Sequence, residues 1–325
     1  MSDIINSIYS VRTVSGAEHG FTGFIKEQLG DFCDEIYNDS IGNVYALKKG
    51  RGKQCSTVAV VCAVDEPGFV VTCVEPDGKV RLHGIGTKAW QSYAGAKATA
   101  EDGTQGILLT DVSDASKISA DDFYFETGAA DADDITLSEG AFVHVDMPPV
   151  FLGKNRISLG VMGEKAFASA IIDIAKYCGD YCFDLCFVFV SQHLLGSRGE
   201  KCAAYNIKAD TVIALTSVAD KKIGEGAVIC TADSGGKCNR TLCTQLSEAA
   251  ESIGVNCRMY ADICKEKPSF VAPFLAENSE VAVIGVPCNS NCGANICDLR
   301  DVRSAAAIAC AYLIFRDEKE EIINE

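Results

Sequence analysis

Residues 191–199 read SQHLLGSRG directly after the apolar run LCFVFV. A buried strand that empties into a glycine-flanked turn is where α/β proteins keep their chemistry, and this turn carries Gln192, His193, Arg198 and Gly199. Other apolar runs end in comparable places. TVAVVCAV leads into Asp65-Glu66-Pro67-Gly68-Phe69, TVIAL into Thr216 and Ser217, and EVAVIGVP into Cys288–Asp298. Two chemistries suit these residue types. Cys62, His193, Cys288 and Cys292 supply thiols and an imidazole, a donor set for zinc. Cys62 or Cys292 beside His193 would make a Cys–His nucleophile pair. Against both, cysteines occur throughout the chain, and inert buried thiols are the simpler expectation.

The elements that must hold these turns follow from periodicity. Ser15 and Glu18 have capping-box spacing, with Phe21, Phe24, Ile25, Leu29 and Phe32 on one face of the helix they would open. From Ile157 onward helices alternate with apolar strands: EKAFASAIIDIAKYC, DLCFVFV, TVIALTS, TLCTQLSEAAESIG, VNCRMYA, SFVAPFLAEN, EVAVIGV and VRSAAAIACAYLIF. This rhythm predicts a mixed sheet with helices on both faces. Between Gly68 and Pro149 the texture is different. FVVTCV and VRLHGI flank the turn EPDGK, and AKATA, GILLTDV, FYFETG and FVHVDM follow at short spacing, the pattern of a small β-barrel. Residues 1–68 and 156–325 are therefore expected to build one α/β domain, with 69–155 inserted as the barrel. Trp90 is expected in core packing, and His19, His83 and His144 in structural or surface roles.

Composition narrows the function classes. With 45 acidic and 29 basic residues the net charge is −16, a surface that repels phosphate backbones and argues against a nucleic-acid partner. No apolar run reaches the roughly 18 residues of a membrane span. MSDIINSIYSVRT has neither a basic start nor a long apolar segment, so the expectation is a cytoplasmic protein with reduced thiols. The 17 cysteines avoid the interval between Cys73 and Cys178, which again separates the middle from its flanks.

In their order and spacing, several short motifs resemble the tetrahedral aminopeptidases, the glutamyl/leucyl di-metal metallopeptidases sometimes labelled endoglucanases. They are Val14-Ser15-Gly16, IGNVYALKKG at 41–50, DEPGF at 65–69, IG at 85–86, LG at 152–153, Q…GSRG at 192–199 and DLRDV at 298–302. The resemblance spans nearly the whole chain. It implies a metallopeptidase-like α/β fold with an inserted barrel, self-assembly into dimers or twelve-subunit shells, and a hydrolytic centre of two divalent ions, zinc or cobalt. In such a centre the ions acidify a bridging water and a glutamate accepts its proton.

Carried over position by position, the implied centre is degenerate here. Ala63 stands where the resemblance calls for a histidine, Gly163 for the bridging aspartate, His193 for the glutamate base, Leu194 for a glutamate ligand, Thr216 for an aspartate and Asn291 for the last histidine. Asp65, Glu66, Gly68, Gln192, Gly196, Arg198 and Gly199 are retained. Asp65, with no histidine to orient, is expected to cap a helix or bond a backbone amide. The reading is a non-catalytic aminopeptidase homologue without a cofactor, kept for homo-oligomeric assembly, peptide binding or partnership with an active paralogue. Two alternatives stand beside it: an active metal-dependent aminopeptidase with its ligands elsewhere, and a new thiol or zinc site in the same cleft.

Overall fold

The computed structural model describes residues 2–52, 56–86, 90–159, 164–219, 221–263, 267–291 and 294–324. Its strands are β1 Glu35–Asn38, β2 Val44–Lys48, β3 Thr57–Ala63, then six barrel strands β4 Gly68–Val74, β5 Val80–Ile85, β6 Lys97–Ala100, β7 Gln105–Thr110, β8 Phe123–Glu126 and β9 Phe142–Val145. After the barrel come β10 Val150–Leu152, β11 Arg156–Ser158, β12 Asp184–Val190, β13 Thr211–Val218, β14 Val228–Asp233, β15 Gly236–Lys237, β16 Arg258–Ala261, β17 Glu280–Asn291 and β18 Ala294–Asp298. The helices are α1 Ser2–Ser10, α2 Phe21–Leu29, α3 Ala168–Tyr177, α4 Arg198–Ile207, α5 Arg240–Ser252, α6 Val271–Ala276 and α7 Leu299–Asn324.

The large sheet has the order β1-β2-β12-β3-β13-β17-β18-β11-β10, with β14, β15 and β16 branching from β17. Its centre, β12-β3-β13-β17, is parallel; β2, β14 and β18 join that centre antiparallel, and β16 pairs with β14 in parallel. Those central strands are nearly continuous Val, Ile, Leu, Phe and Ala because helices cover both faces and leave no side for water. Register brings the strand ends level: Val190 pairs with Ala63, and Leu215 with Cys62, one residue before Thr216. The turns singled out from sequence therefore open along one edge of the sheet.

The closed barrel runs β4-β5-β8-β7-β6-β9 and has its own core, where Trp90 packs against Phe69, Tyr93 and Phe123. The strands on either side of the barrel segment, β3 and the hairpin β10–β11, belong to the large sheet.

Two sequence expectations are corrected. Ser15 and Glu18 cap nothing: α2 begins at Phe21 behind Gly20, without a side-chain cap. Both side chains turn instead toward other turns, as described below. Phe32 lies beyond the end of α2 and is 41% exposed, whereas Phe21, Phe24, Ile25 and Leu29 are buried as the period requires. α2 spans nine residues, Gly30 closing it with a hydrogen bond to the Lys26 carbonyl, so Phe32 falls past its end.

Candidate functional site: a cluster of ion pairs at the sheet edge

The turn 191–199 is held from three directions. Asn43, from the IGN motif, accepts the Ser191 amide at 2.9 Å and donates to the Gly199 carbonyl at 2.9 Å, bridging the end of β12 to the start of α4. Glu18 accepts the Gln192 amide at 2.8 Å, and Asp65 accepts the Leu194 amide at 2.9 Å and the Ser15 hydroxyl at 2.7 Å. Asp65 thus bonds a backbone amide, one of the two roles expected for it. The backbone is left-handed at Gln192 (φ 52°) and Ser197 (φ 54°), conformations uncommon outside glycine. Gly199 admits no side chain, since a Cβ there would lie 1.9 Å from the Ser191 carbonyl oxygen. Gly196 has φ 81° and is exposed, as is Arg198. Leu194 packs toward Gly86 of the IG motif, where a Cβ would meet the leucine at 2.8 Å.

Inside this turn lies His193, fully buried, stacked on Phe270 with centroids 4.5 Å apart and paired through Nδ1 with Glu200. Burial alone would lower the pKa of the ring. Glu200, Asp65 and Glu164 reverse that and raise it, so the imidazolium form is favoured. His193 Nε2, Glu200 Oε2 and Asp65 Oδ1 are buried without a partner. Burial raises Asp65 to about 6 and, with Asp65 adding repulsion, raises Glu18 to about 7.

A second cluster starts from the adjacent residues Glu164 and Lys165, both buried, whose charges pair in opposite directions. Glu164 accepts the Thr216 hydroxyl at 3.1 Å and the Ser217 amide and hydroxyl, at 3.1 and 2.5 Å. The Lys267 ammonium lies 3.3 Å from Glu164 Oε1, donates to Thr216 Oγ1 at 2.8 Å and also bonds the Ser217 carbonyl. Burial opposes ionisation of Glu164, but Lys267 and His193 outweigh it and lower its pKa. On the other side, Lys165 donates to Glu66 at 2.8 Å and to the Val11 carbonyl. Glu66 is held at about 2: burial opposes its charge, and Lys165 with His144 overcomes the opposition. Burial depresses the Lys165 ammonium, and Glu66 works against that shift. His144 reaches Glu66 from barrel strand β9 at 3.5 Å, tying barrel to sheet.

Of the residues read from sequence, the structure brings His193, Leu194, Asp65, Glu66 and Thr216 to one sheet edge, with Ala63 fully buried at the end of β3. Asn291 ends β17, opposite Ala294. Gly163 and Cys292 lie outside the described residues. Cys62 is buried with its thiol raised well above the ordinary range by burial, and the Cys288 thiol is hydrogen-bonded to that of Cys297, its cross-strand partner. The imidazole of His193 faces Glu200 and Phe270, not a thiol. His19 and His83 are exposed, His83 beside Asp121. Among the described residues no three His, Cys, Asp or Glu side chains converge so as to hold a metal ion. No described helix is long and apolar enough to cross a membrane.

Sequence reasoning passed over Glu18, Glu164, Lys165, Glu200 and Lys267 as parts of a site. For Glu164 and Lys165 the one signal was their place at the head of a largely apolar helix, where a buried charge needs a partner. Lys267 carried none, because only the fold brings it to Glu164.

Known proteins share this architecture. The structure superimposes on an aminopeptidase from the archaeon Desulfurococcus kamchatkensis with a TM-score of 0.86 at 19% identity, over 96% of this chain and 93% of that one. It superimposes on the Pyrococcus horikoshii TET1 peptidase, which assembles into a tetrahedron or a large octahedral shell, with a TM-score of 0.82 at 19% identity, over 96% and 98%. In sequence it is 24% identical over 228 residues to the lysyl aminopeptidase of Pyrococcus furiosus, a match covering 66% of this chain and 65% of that one. The matches to the curated relatives thus span just under two thirds of their length. The M42 glutamyl aminopeptidase profile matches residues 42–308. The chain belongs to the M42 glutamyl aminopeptidase family.

Proposed function

We propose that this chain is a non-catalytic member of its family, in which fixed ion pairs stand where an active relative holds two dications. The observation that carries the reading is Lys267: its ammonium rests on Glu164 and on Thr216, the strand-end position where the resemblance calls for an aspartate ligand. The donor set does not fit a pair of dications. Ala63 and Leu194 offer no lone pair, Thr216 is already bonded to a cation, and a second cation beside Lys267 would be repelled. Thr216, Asp262, Lys267 and Phe270 line a depression of about 10 Å³, close to the least space that holds one water.

The retained scaffold then serves cytoplasmic assembly into a homo-oligomer and the binding of peptides or of an active paralogue. Tetrahedral assembly in a protein of the same fold supports the first of these. Purified protein, sized by light scattering and then assayed on a panel of aminoacyl and peptidyl substrates with added zinc, cobalt or manganese, tests the reading. It is expected to be oligomeric and to hydrolyse nothing above the metal-only blank. Metal-dependent release of amino-terminal residues would overturn it.

A further inference from the structure

The parallel strands start at the sheet edge opposite the ion-pair cluster, where Thr211 of β13 lies beside Glu280 of β17. There α5, α7 and the start of β17 border an open cavity of about 180 Å³. Tyr312 and Phe315 of α7 line it with aromatic rings, Arg316 and Lys319 bring two cations, Glu280 brings a carboxylate and Gln245 of α5 an amide.

Arg316 is oriented in advance. Its Nε donates to Glu320 at 2.8 Å, Nη1 to the Thr211 and Tyr312 hydroxyls at 2.6 and 3.3 Å, and Nη2 to the Ser56 hydroxyl at 3.1 Å. One N–H of Nη2 is left over. The Lys319 ammonium is exposed and, among the described residues, meets only the Phe315 ring, 3.9 Å from its centroid. Glu280 accepts the Asn239 side-chain amide through Oε1 at 3.3 Å and has no partner for Oε2 among the described residues. The Gln245 side chain makes no hydrogen bond among them.

We propose that this cavity binds a small free amino acid as its zwitterion. The α-carboxylate pairs with Lys319 and takes the remaining Nη2 hydrogen of Arg316, a charge-assisted contact from a fixed donor. The α-ammonium is held by Glu280 Oε2 and the Gln245 amide oxygen, and an apolar side chain lies against the Tyr312 and Phe315 rings. Charge excludes simpler ligands. A dication is repelled by Arg316 and Lys319, and a plain anion by Glu280, Glu320 and a chain of net charge −16. Only a ligand carrying both charges finds a partner for each. Size agrees, since pockets for larger, drug-sized ligands start at roughly 300 Å³. A peptide has no free carboxylate next to its amino-terminal carbon, so the same groups select the amino acid over the peptide.

The test follows the thermal midpoint of the full-length protein while L-leucine or L-methionine is titrated. Each should give a saturable rise, roughly 2 °C at ten times the fitted dissociation constant. N-acetyl-L-leucine and L-leucinamide, each lacking one charge, and inorganic phosphate should give none. Lys319→Gln and Glu280→Gln alter exposed side chains, the second keeping an acceptor for Asn239. Each variant, compared with its own ligand-free midpoint, should lose the rise. The proposal is overturned if neither amino acid shifts the wild type, if either analogue or phosphate shifts it as much, or if the rise survives both substitutions.

Discussion

Lys267 and Glu164 are the residues on which the chemistry turns, and each depends on the other. Glu164 is 1% exposed, and removing the ammonium beside it leaves a buried charge with only hydroxyl and amide donors. Lys267→Met is therefore expected to cost about 3 kcal/mol, while Glu164→Gln added to it should restore most of the loss, because an apolar–neutral pair carries no unpaired charge. Urea midpoints of the two single variants and the double variant check this; equal losses that simply add would contradict the pairing. Glu18 gives a second prediction, with the opposite dependence on pH from an ordinary paired carboxylate. Its pKa rises from 4.5 to about 7 on folding, so the folded state holds the proton more tightly. The stability this supplies is complete below pH 4.5 and is lost as pH rises through 7. Glu18→Gln keeps an oxygen acceptor for the Gln192 amide and removes the titration. It should gain about 3 kcal/mol at about pH 8 and much less at about pH 5, measured by the same midpoints; a gain independent of pH would sink the assignment.

At the scale of the element, the backbone of the 191–199 turn is fixed by Asn43, Glu18 and Asp65. Gly199 is the tightest point, because a methyl group there would stand 1.9 Å from the Ser191 carbonyl oxygen. Gly199→Ala must push α4 off the end of β12, and a loss of about 2–3 kcal/mol is expected from overpacking. A thermal midpoint unchanged from wild type would show that the turn is looser than described. Much of this element was legible in sequence. The apolar runs, the glycines and the order of DEPGF, Q…GSRG and DLRDV were enough to name the turns. Their partners were not legible, since Glu18 meets Gln192 across 174 positions and Lys267 meets Thr216 across 51. The Ser15–Glu18 spacing misled for the same reason: both side chains have long-range partners in Asp65 and Gln192, and these outcompete a local cap.

For the whole molecule, two cores are joined at a charged seam. Glu66 receives Lys165 from the α/β domain and His144 from the barrel, so the inserted module is fixed to the sheet edge by the same residues that fill it. The α/β and barrel texture could be read from period and cysteine distribution, because burial on two faces and burial on one leave different patterns. Cations built into the chain could not be read that way. If these lysines meet the electrostatic demand of the sheet edge, the protein should have no appetite for external dications. Equilibrium dialysis of the purified, chelator-treated protein against micromolar zinc or cobalt tests this directly. The account predicts well under one ion retained per chain, and Lys267→Met unchanged in hydrolytic activity; two ions retained per wild-type chain would contradict it.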